Sequence, residues 1–207
     1  MASLPREPFS LQGGCLCRSV RYQITFPKFD ERQILNPNHP PDQPDIRAPL
    51  VCFDHCNDCR KASGTPVQTW IICPQEYIRF TLLRRSAGAE SPTVDMSGNQ
   101  LVHPNSASEE TYLTHYSSSK SVWRTFCCRC GTNISFVAYE EAGSETLMDL
   151  LLGTLDRESL ELVGMPEHHI WWDLGIGWVK KLTAEGDGSA SGNALPRHPK
   201  GDIYQLA

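Results

Sequence analysis

The sequence predicts a mainly β protein, a single β-rich domain carrying loop insertions, and three observations lead to that expectation. Short segments alternate apolar and polar residues with the period of a strand, most clearly at 19–26, SVRYQITF. Proline- and serine-rich stretches separate them and exclude long regular elements there. Helical signals are few: one turn after Cys59 (CRKASG), and a start at Asp156, where Asp-Arg-Glu-Ser reads as a helix N-terminus.

Taken in order along the chain, further strands are expected at 67–73, 76–83, 121–126, 132–139 and 147–152. The stretch 27–49 holds six prolines, Pro40-Pro41 among them, and reads as a surface insertion. The stretch 86–119, rich in Ser, Gly, Asn and Pro, reads as a second insertion with a short strand at Gln100-Leu101-Val102. Residues 1–10 read as an N-terminal tail and 184–207 as a flexible C-terminal tail, which leaves a domain at 11–183.

Composition narrows the function classes. A chain of 207 residues is long enough to bury one proper core. The net charge is -5 and no basic stretch exceeds Arg84-Arg85 and Lys180-Lys181, so the electrostatic footprint of a nucleic-acid binder is missing. No apolar run approaches the roughly 18 residues of a membrane span. The first ten residues, MASLPREPFS, lack the apolar centre of a secretory signal. A cytoplasmic setting and a small-molecule substrate are expected, with no nucleic acid and no membrane. Nothing in the sequence specifies an oligomeric state.

The nine cysteines are the most informative feature, because seven of them fall into three tight groups: Cys15/Cys17, Cys56/Cys59 and Cys127/Cys128/Cys130. In a reducing compartment such spacing points to metal ligation more than to disulfides. Cys15 and Cys17 precede a strand, and in an extended chain residues i and i+2 project to one side. Cys127-Cys128-Arg129-Cys130-Gly131 is a Cys-x-x-Cys knuckle closed by glycine. Two such pairs make a tetrahedral four-thiolate zinc site, with Cys128 as a non-ligand. The competing reading is a set of buried free cysteines or a disulfide.

A second metal-like segment runs through Cys52, Asp54, His55, Cys56 and Cys59. Two thiolates and one carboxylate would leave zinc a fourth position open to a substrate, the pattern of a catalytic site. Arg60 and Lys61 follow and can grip a substrate carboxylate, or else form a solvated helix start. Trp70 reads as core more than as substrate wall, as does Trp123. His168-His169 with Trp171-Trp172 is an unusual local density.

These motifs together resemble one family. Gly13-Gly14-Cys15-Leu16-Cys17 followed by Val20-Arg21-Tyr22, His55-Cys56-x-x-Cys59-Arg60 with Gly64, and Phe126-Cys127-x-x-Cys130-Gly131 resemble the glutathione-dependent formaldehyde-activating enzyme family, which includes the centromere protein V group. Gly153-Thr154-Leu155-Asp156 and His169-Ile170-Trp171 with Trp178 look like its C-terminal half. The resemblance implies a β-tent-like fold of small antiparallel sheets pinned by zinc. It implies a structural zinc on Cys15, Cys17, Cys127 and Cys130, and a second zinc on a Cys-x-Cys-x-x-Cys segment. The reaction it implies joins glutathione to formaldehyde, a carbon–sulfur lyase reaction run in reverse.

Asp54 stands where the family has the first cysteine of that second segment. Three readings follow. Asp54 replaces the thiolate in a ligand set of Asp54, Cys56 and Cys59; Cys52 swings in, from about 6.6 Å along the strand; or the second zinc is lost and Asp54 and His55 remain as an acid/base pair. Catalysis is accordingly expected at Asp54, His55, Cys56 and Cys59, with substrate contacts at Arg60, Lys61, Trp70 and His169. Zinc is the expected metal and glutathione the expected co-substrate. A carbon–sulfur lyase leads, ahead of acid/base chemistry on another substrate and of a non-enzymatic zinc-stabilised binding module.

Overall fold

The alternation at 19–26 is realised as strand β2 (Val20–Phe26), in which Val20, Tyr22, Ile24 and Phe26 are buried and Gln23 and Thr25 exposed. In this computed structural model residues 4–37, 41–42, 45–86, 92–139 and 146–186 are described. β2 pairs with β1 (Phe9–Gly14) and β5 (Ile78–Leu83), and β6 (Thr93–Ser97) completes a four-stranded antiparallel sheet in the order β1-β2-β5-β6. β5 repeats the pattern, burying Ile78, Phe80 and Leu82. Full burial of one such side chain contributes roughly 1.5–3 kcal/mol.

The second sheet has seven strands among the described residues. They are β3 (Leu50–Asp54), β4 (Gln68–Pro74), β7 (Leu113–Ser119), β8 (Val122–Cys127), β9 (Asn133–Ala138), β10 (Leu147–Leu151) and β11 (His168–Ile170). Their order is β11-β3-β4-β10-β9-β8-β7, and every pairing is antiparallel except β11 with β3. Period-two alternation divides this sheet between two clusters. Val51, Ile71, Cys73, Met148, Leu150 and Val137 join the residues of the small sheet in the main core. Cys52 and Trp70, from the alternate positions, pack with Cys59 in a smaller cluster bordered by half-buried Leu50, Ile72, Phe136, Leu151 and Ile170. The expectation of a mainly β protein built from small sheets holds, one parallel edge pairing making the larger sheet mixed.

Four short α-helices connect the strands among the described residues: α1 (Asn57–Ser63), α2 (Ser106–Glu109), α3 (Arg157–Val163) and α4 (Gly177–Glu185). α1 and α3 lie where the two helical signals stand. The expected strand at Gln100-Leu101-Val102 is a correction: Gly98–Leu101 is a 3-10 helix, closed by the Gln100 side chain accepting from the Ser97 N–H at 2.8 Å, and Leu101 plugs the core. The stretch 86–119, read as an insertion, supplies β6 and β7. Local composition there hid both strands, although each pairs with a strand next to it in sequence, β6 with β5 and β7 with β8. Among its described residues, the stretch 27–49 carries a 3-10 turn at Phe29–Glu31 and an Ile34–Arg47 bridge. The expected C-terminal tail lies outside the described residues beyond 186. No helix among the described residues is long and apolar enough to cross a membrane.

Candidate metal centre

Cys15 and Cys17 converge through a tight turn between β1 and β2, which replaces the extended geometry expected for the pair. The Cys15 N–H donates to Val20 O at 2.9 Å, the Arg18 N–H donates to Cys15 O at 3.0 Å, and Arg18 takes φ 63°. The other pair sits in the turn from β8 to β9, where the Gly131 N–H donates to Cys127 O at 2.7 Å. Gly131 there has φ 75°, a conformation that disfavours a side chain. Cys15 Sγ lies 3.6 Å from Cys17 Sγ, Cys17 Sγ lies 3.7 Å from Cys127 Sγ, and all four sulfurs fall within 4.8 Å of one another. A tetrahedron with zinc–sulfur bonds of about 2.3 Å has edges of about 3.8 Å, so this sulfur set fits a closed four-thiolate ion site.

The surroundings divide the four sulfurs. Burial pushes the Cys127 thiol up to about 12 and raises Cys15. The Ser19 hydroxyl, 3.3 Å from Cys17 Sγ, holds that thiol below its ordinary value. Burial alone would raise Cys130, but the hydroxyl and amide of Thr132 and the contacts with Cys17 outweigh it and bring Cys130 to about 6. The surroundings thus lower the thiol pKa at Cys17 and Cys130 and raise it at Cys15 and Cys127, and a bound cation would favour the thiolate at all four. Cys128 is exposed and outside the set.

The second group brings one oxygen of Asp54 and the sulfurs of Cys56 and Cys59 within 4.8 Å of one another. Asp54 ends β3 and Cys56 caps α1, so the chain turns between them rather than continuing as a strand. Asp54 is 2% exposed. Its Oδ1 accepts from the Cys56 N–H at 2.8 Å and its Oδ2 from the Trp70 indole N–H at 2.8 Å. The carboxylate is thus fixed on both sides, and its remaining lone pairs can serve a metal. Cys59, on the first turns of α1, lies 3.4 Å from Nη2 of Arg124, which donates to it. Burial drives the Cys59 thiol well above its ordinary range, and Arg124 opposes that. Cys52 is fully buried beside Trp70, pushed up to about 12 by burial, and its sulfur is outside the ligand group.

The other expected site residues separate. Trp70 is 1% exposed and holds Asp54 from behind, while its ring packs on Phe136 at 6.1 Å. His55 does not join the cluster's ligand group. Its Nε2 meets His169 Nδ1 at 3.0 Å, Trp172 stands edge-on at 5.1 Å, and a side chain at Gly175 would come within 2.7 Å of its Nδ1. Burial and the neighbouring His169 lower the His55 pKa. His169 is exposed and stacks on Phe53 at 5.1 Å. Arg60 is half-buried with its Nε enclosed and unpartnered among the described residues, whereas Lys61 is exposed.

Two residues beside the cluster escaped sequence reasoning. Arg124 sits on β8, its guanidinium 4.8 Å over the Phe136 ring and its Nε donating to Ser118 Oγ at 3.2 Å. Asp149 sits on β10, where burial, then the Asp54 charge, raise its carboxyl to about 7. Neither belongs to a spaced motif; only the strand register reveals them.

No curated protein is matched by the chain. One family model matches, over residues 82–173, a stretch that includes Cys127, Cys130, Arg124, Asp149 and His169 and leaves the remaining cysteines of both clusters outside it. Over that stretch the chain is similar to the family described as glutathione-dependent formaldehyde-activating enzyme, the family that its cysteine motifs resemble.

Proposed function

We propose that this protein is an enzyme that makes or breaks the carbon–sulfur bond in a thiol adduct of a small carbonyl compound, with zinc at both clusters. The observation that carries this reading is the convergence of three donors among the described residues, Asp54, Cys56 and Cys59, next to a cationic side chain and a half-open sheet face, while the other set has four sulfurs. Zinc at the three-donor set would supply Lewis-acid chemistry, lowering a thiol pKa or polarising a carbonyl. The family description supports glutathione as the thiol and formaldehyde as the carbonyl compound.

The chain's own residues have defined tasks in this reading. Trp70 orients the Asp54 carboxylate, and Arg124 offsets the negative charge gathered at Cys59 and Asp54. Half-buried Ile72, Leu151, Ile170 and Phe136 reduce the water around the reacting atoms. The thiol sulfur adds to the carbonyl carbon, the thiol proton ends on the carbonyl oxygen, and nothing is oxidised or reduced. The reverse direction releases thiol and aldehyde.

Elemental analysis of the full chain, wild type beside Cys56→Ser, tests the reading. Two zincs per chain falling to one are expected, together with glutathione-dependent turnover of an aldehyde that the variant loses. One zinc in both proteins would overturn it. The 3.0 Å contact between the His55 and His169 rings would then favour a second reading, proton transfer on another organic substrate, without a glutathione requirement.

A further inference from the structure

Strand register sets the Asp149 carboxyl between two apolar side chains beside the second cluster. On β10 it stands opposite Ile72 of β4 on one side and Phe136 of β9 on the other. Directly paired residues project to the same face of a sheet, so the three form one row. Ile72 and Phe136 are half-buried and border the cluster of Cys52, Cys59 and Trp70. Leu151, two residues along β10, stands opposite Trp70, which in turn stands opposite Cys52, two residues before Asp54. Asp149 therefore shares the sheet face of Trp70 and Asp54, the pair joined by the 2.8 Å indole hydrogen bond.

Nothing in the fold employs this carboxyl. Among the described residues it accepts no hydrogen bond and forms no ion pair. The charged and titratable groups that act on it or feel it are Asp54 and Cys52 on β3, Cys73 on β4 and Arg124 on β8. Burial and the Asp54 charge, opposed by Arg124, raise it to about 7, so the proton is held into the neutral range. A carboxyl kept among apolar side chains without a donor is unfavourable for stability, and such groups gather where protons are transferred.

We propose that Asp149 is the proton carrier of the second cluster, giving a proton to the carbonyl oxygen when the carbon–sulfur bond forms and taking it back when that bond breaks. The proposal rests on the reading of Asp54, Cys56 and Cys59 as the place where the bond is made, and adds the group that moves the proton. In the forward direction the thiol has given its proton to solvent, and its sulfur lone pair forms the bond to the carbonyl carbon. The carbonyl π pair moves onto oxygen, which takes the Asp149 proton, and the carboxylate left behind is reprotonated from solvent. Thiol and carbonyl compound combine, and nothing is oxidised or reduced. A carboxyl that can both hold and release its proton near neutral pH serves the two directions. Glutathione fits this role as well as any thiol, because Asp149 acts on the carbonyl oxygen.

The test is steady-state turnover by zinc-loaded full-length protein, with glutathione and formaldehyde in one direction and their adduct in the other, as a function of pH. Wild type is compared with Asp149→Asn and Asp149→Glu, the uncatalysed rate is subtracted, and zinc content and melting temperature are measured for each. Asp149→Asn cannot carry the proton and should lose roughly 100-fold or more in kcat in both directions, while keeping its zinc and melting no lower than wild type. In wild type, bond formation should slow as the pH rises and bond cleavage should quicken, because one needs the acid and the other the carboxylate. Both limbs should be missing in Asp149→Asn, and Asp149→Glu, which keeps the carboxyl, should recover part of the rate. A wild-type kcat in Asp149→Asn overturns the proposal, as do pH limbs that persist in it unchanged. So does a loss confined to KM, or one that follows a loss of zinc, either of which would mark Asp149 as a support of the site. If wild type itself shows no glutathione-dependent turnover, the reading of the cluster fails and takes the proposal with it.

Discussion

At the scale of single residues, the second cluster depends on how a buried carboxylate is kept in one orientation. Asp54 is 2% exposed, and removing either of its two hydrogen-bond donors would leave it under-satisfied at about 1–3 kcal/mol. Trp70→Phe removes the indole donor and keeps an aromatic ring. The expected result is a roughly 10–100-fold loss of zinc affinity at the second cluster only, read by competition with a chelator of known affinity. Unchanged affinity would mean that Trp70 acts through packing alone. Asp149 gives a separate prediction with a definite sign. Its carboxyl is raised from 3.8 to about 7, so the folded state holds the proton more tightly than the unfolded chain. Stability from this group is greatest below pH 3.8 and is lost as the pH rises through about 7. Asp149→Asn should therefore raise the melting temperature at pH 8 relative to wild type, with the gain shrinking toward pH 5; an equal change at both would refute the assignment.

At the scale of elements, the turns that carry the cysteines matter more than the strands that flank them. Gly131 has φ 75° and open space where a Cβ would stand, so Gly131→Ala should cost only the backbone penalty of roughly 1–2 kcal/mol. Gly13 is the contrasting case. A Cβ there would lie 2.4 Å from the Tyr22 ring, whose hydroxyl meets Thr154 at 2.7 Å in the buried interior. Gly13→Ala should exceed the loss at Gly131, because Tyr22 must move and give up that hydrogen bond. Thermal melts of the two variants side by side check the order. The elements also explain an expectation that failed. Gln100-Leu101-Val102 is apolar enough for a strand, but Gln100 closes on Ser97 and Leu101 is spent on the core, so the segment coils.

At the scale of the whole molecule, the four-sulfur cluster joins the β1–β2 turn of the small sheet to the β8–β9 turn of the large one, across 110 residues between Cys17 and Cys127. An ion there would act as a cross-link over a long loop, and metal binding would be part of the folding free energy. Removing it with a chelator, or by Cys15→Ser, should cost roughly 3–5 kcal/mol and lower the melting temperature accordingly. Cys56→Ser, at the other cluster, should leave the melting temperature close to wild type. Equal losses from the two variants would contradict a division into one closed site and one open site.

The two groups of converging donors were legible in the sequence, because a metal would need its donors at short local spacings and such spacings are written into Cys15-x-Cys17, Asp54-x-Cys56-x-x-Cys59 and Cys127-x-x-Cys130. The strand alternation of β2 and β5 was legible for the same reason, since one face of each is buried and the period is local. Tertiary structure alone decided what stands around those ligands. It put Trp70 behind Asp54, paired His55 with His169, and set Arg124 against Cys59, 65 residues away. Such neighbours depend on which strands pair and in which register, and a shift of one residue would turn Arg124 to the other face of its sheet. That register is set by the burial of the whole core, which no local stretch of sequence contains.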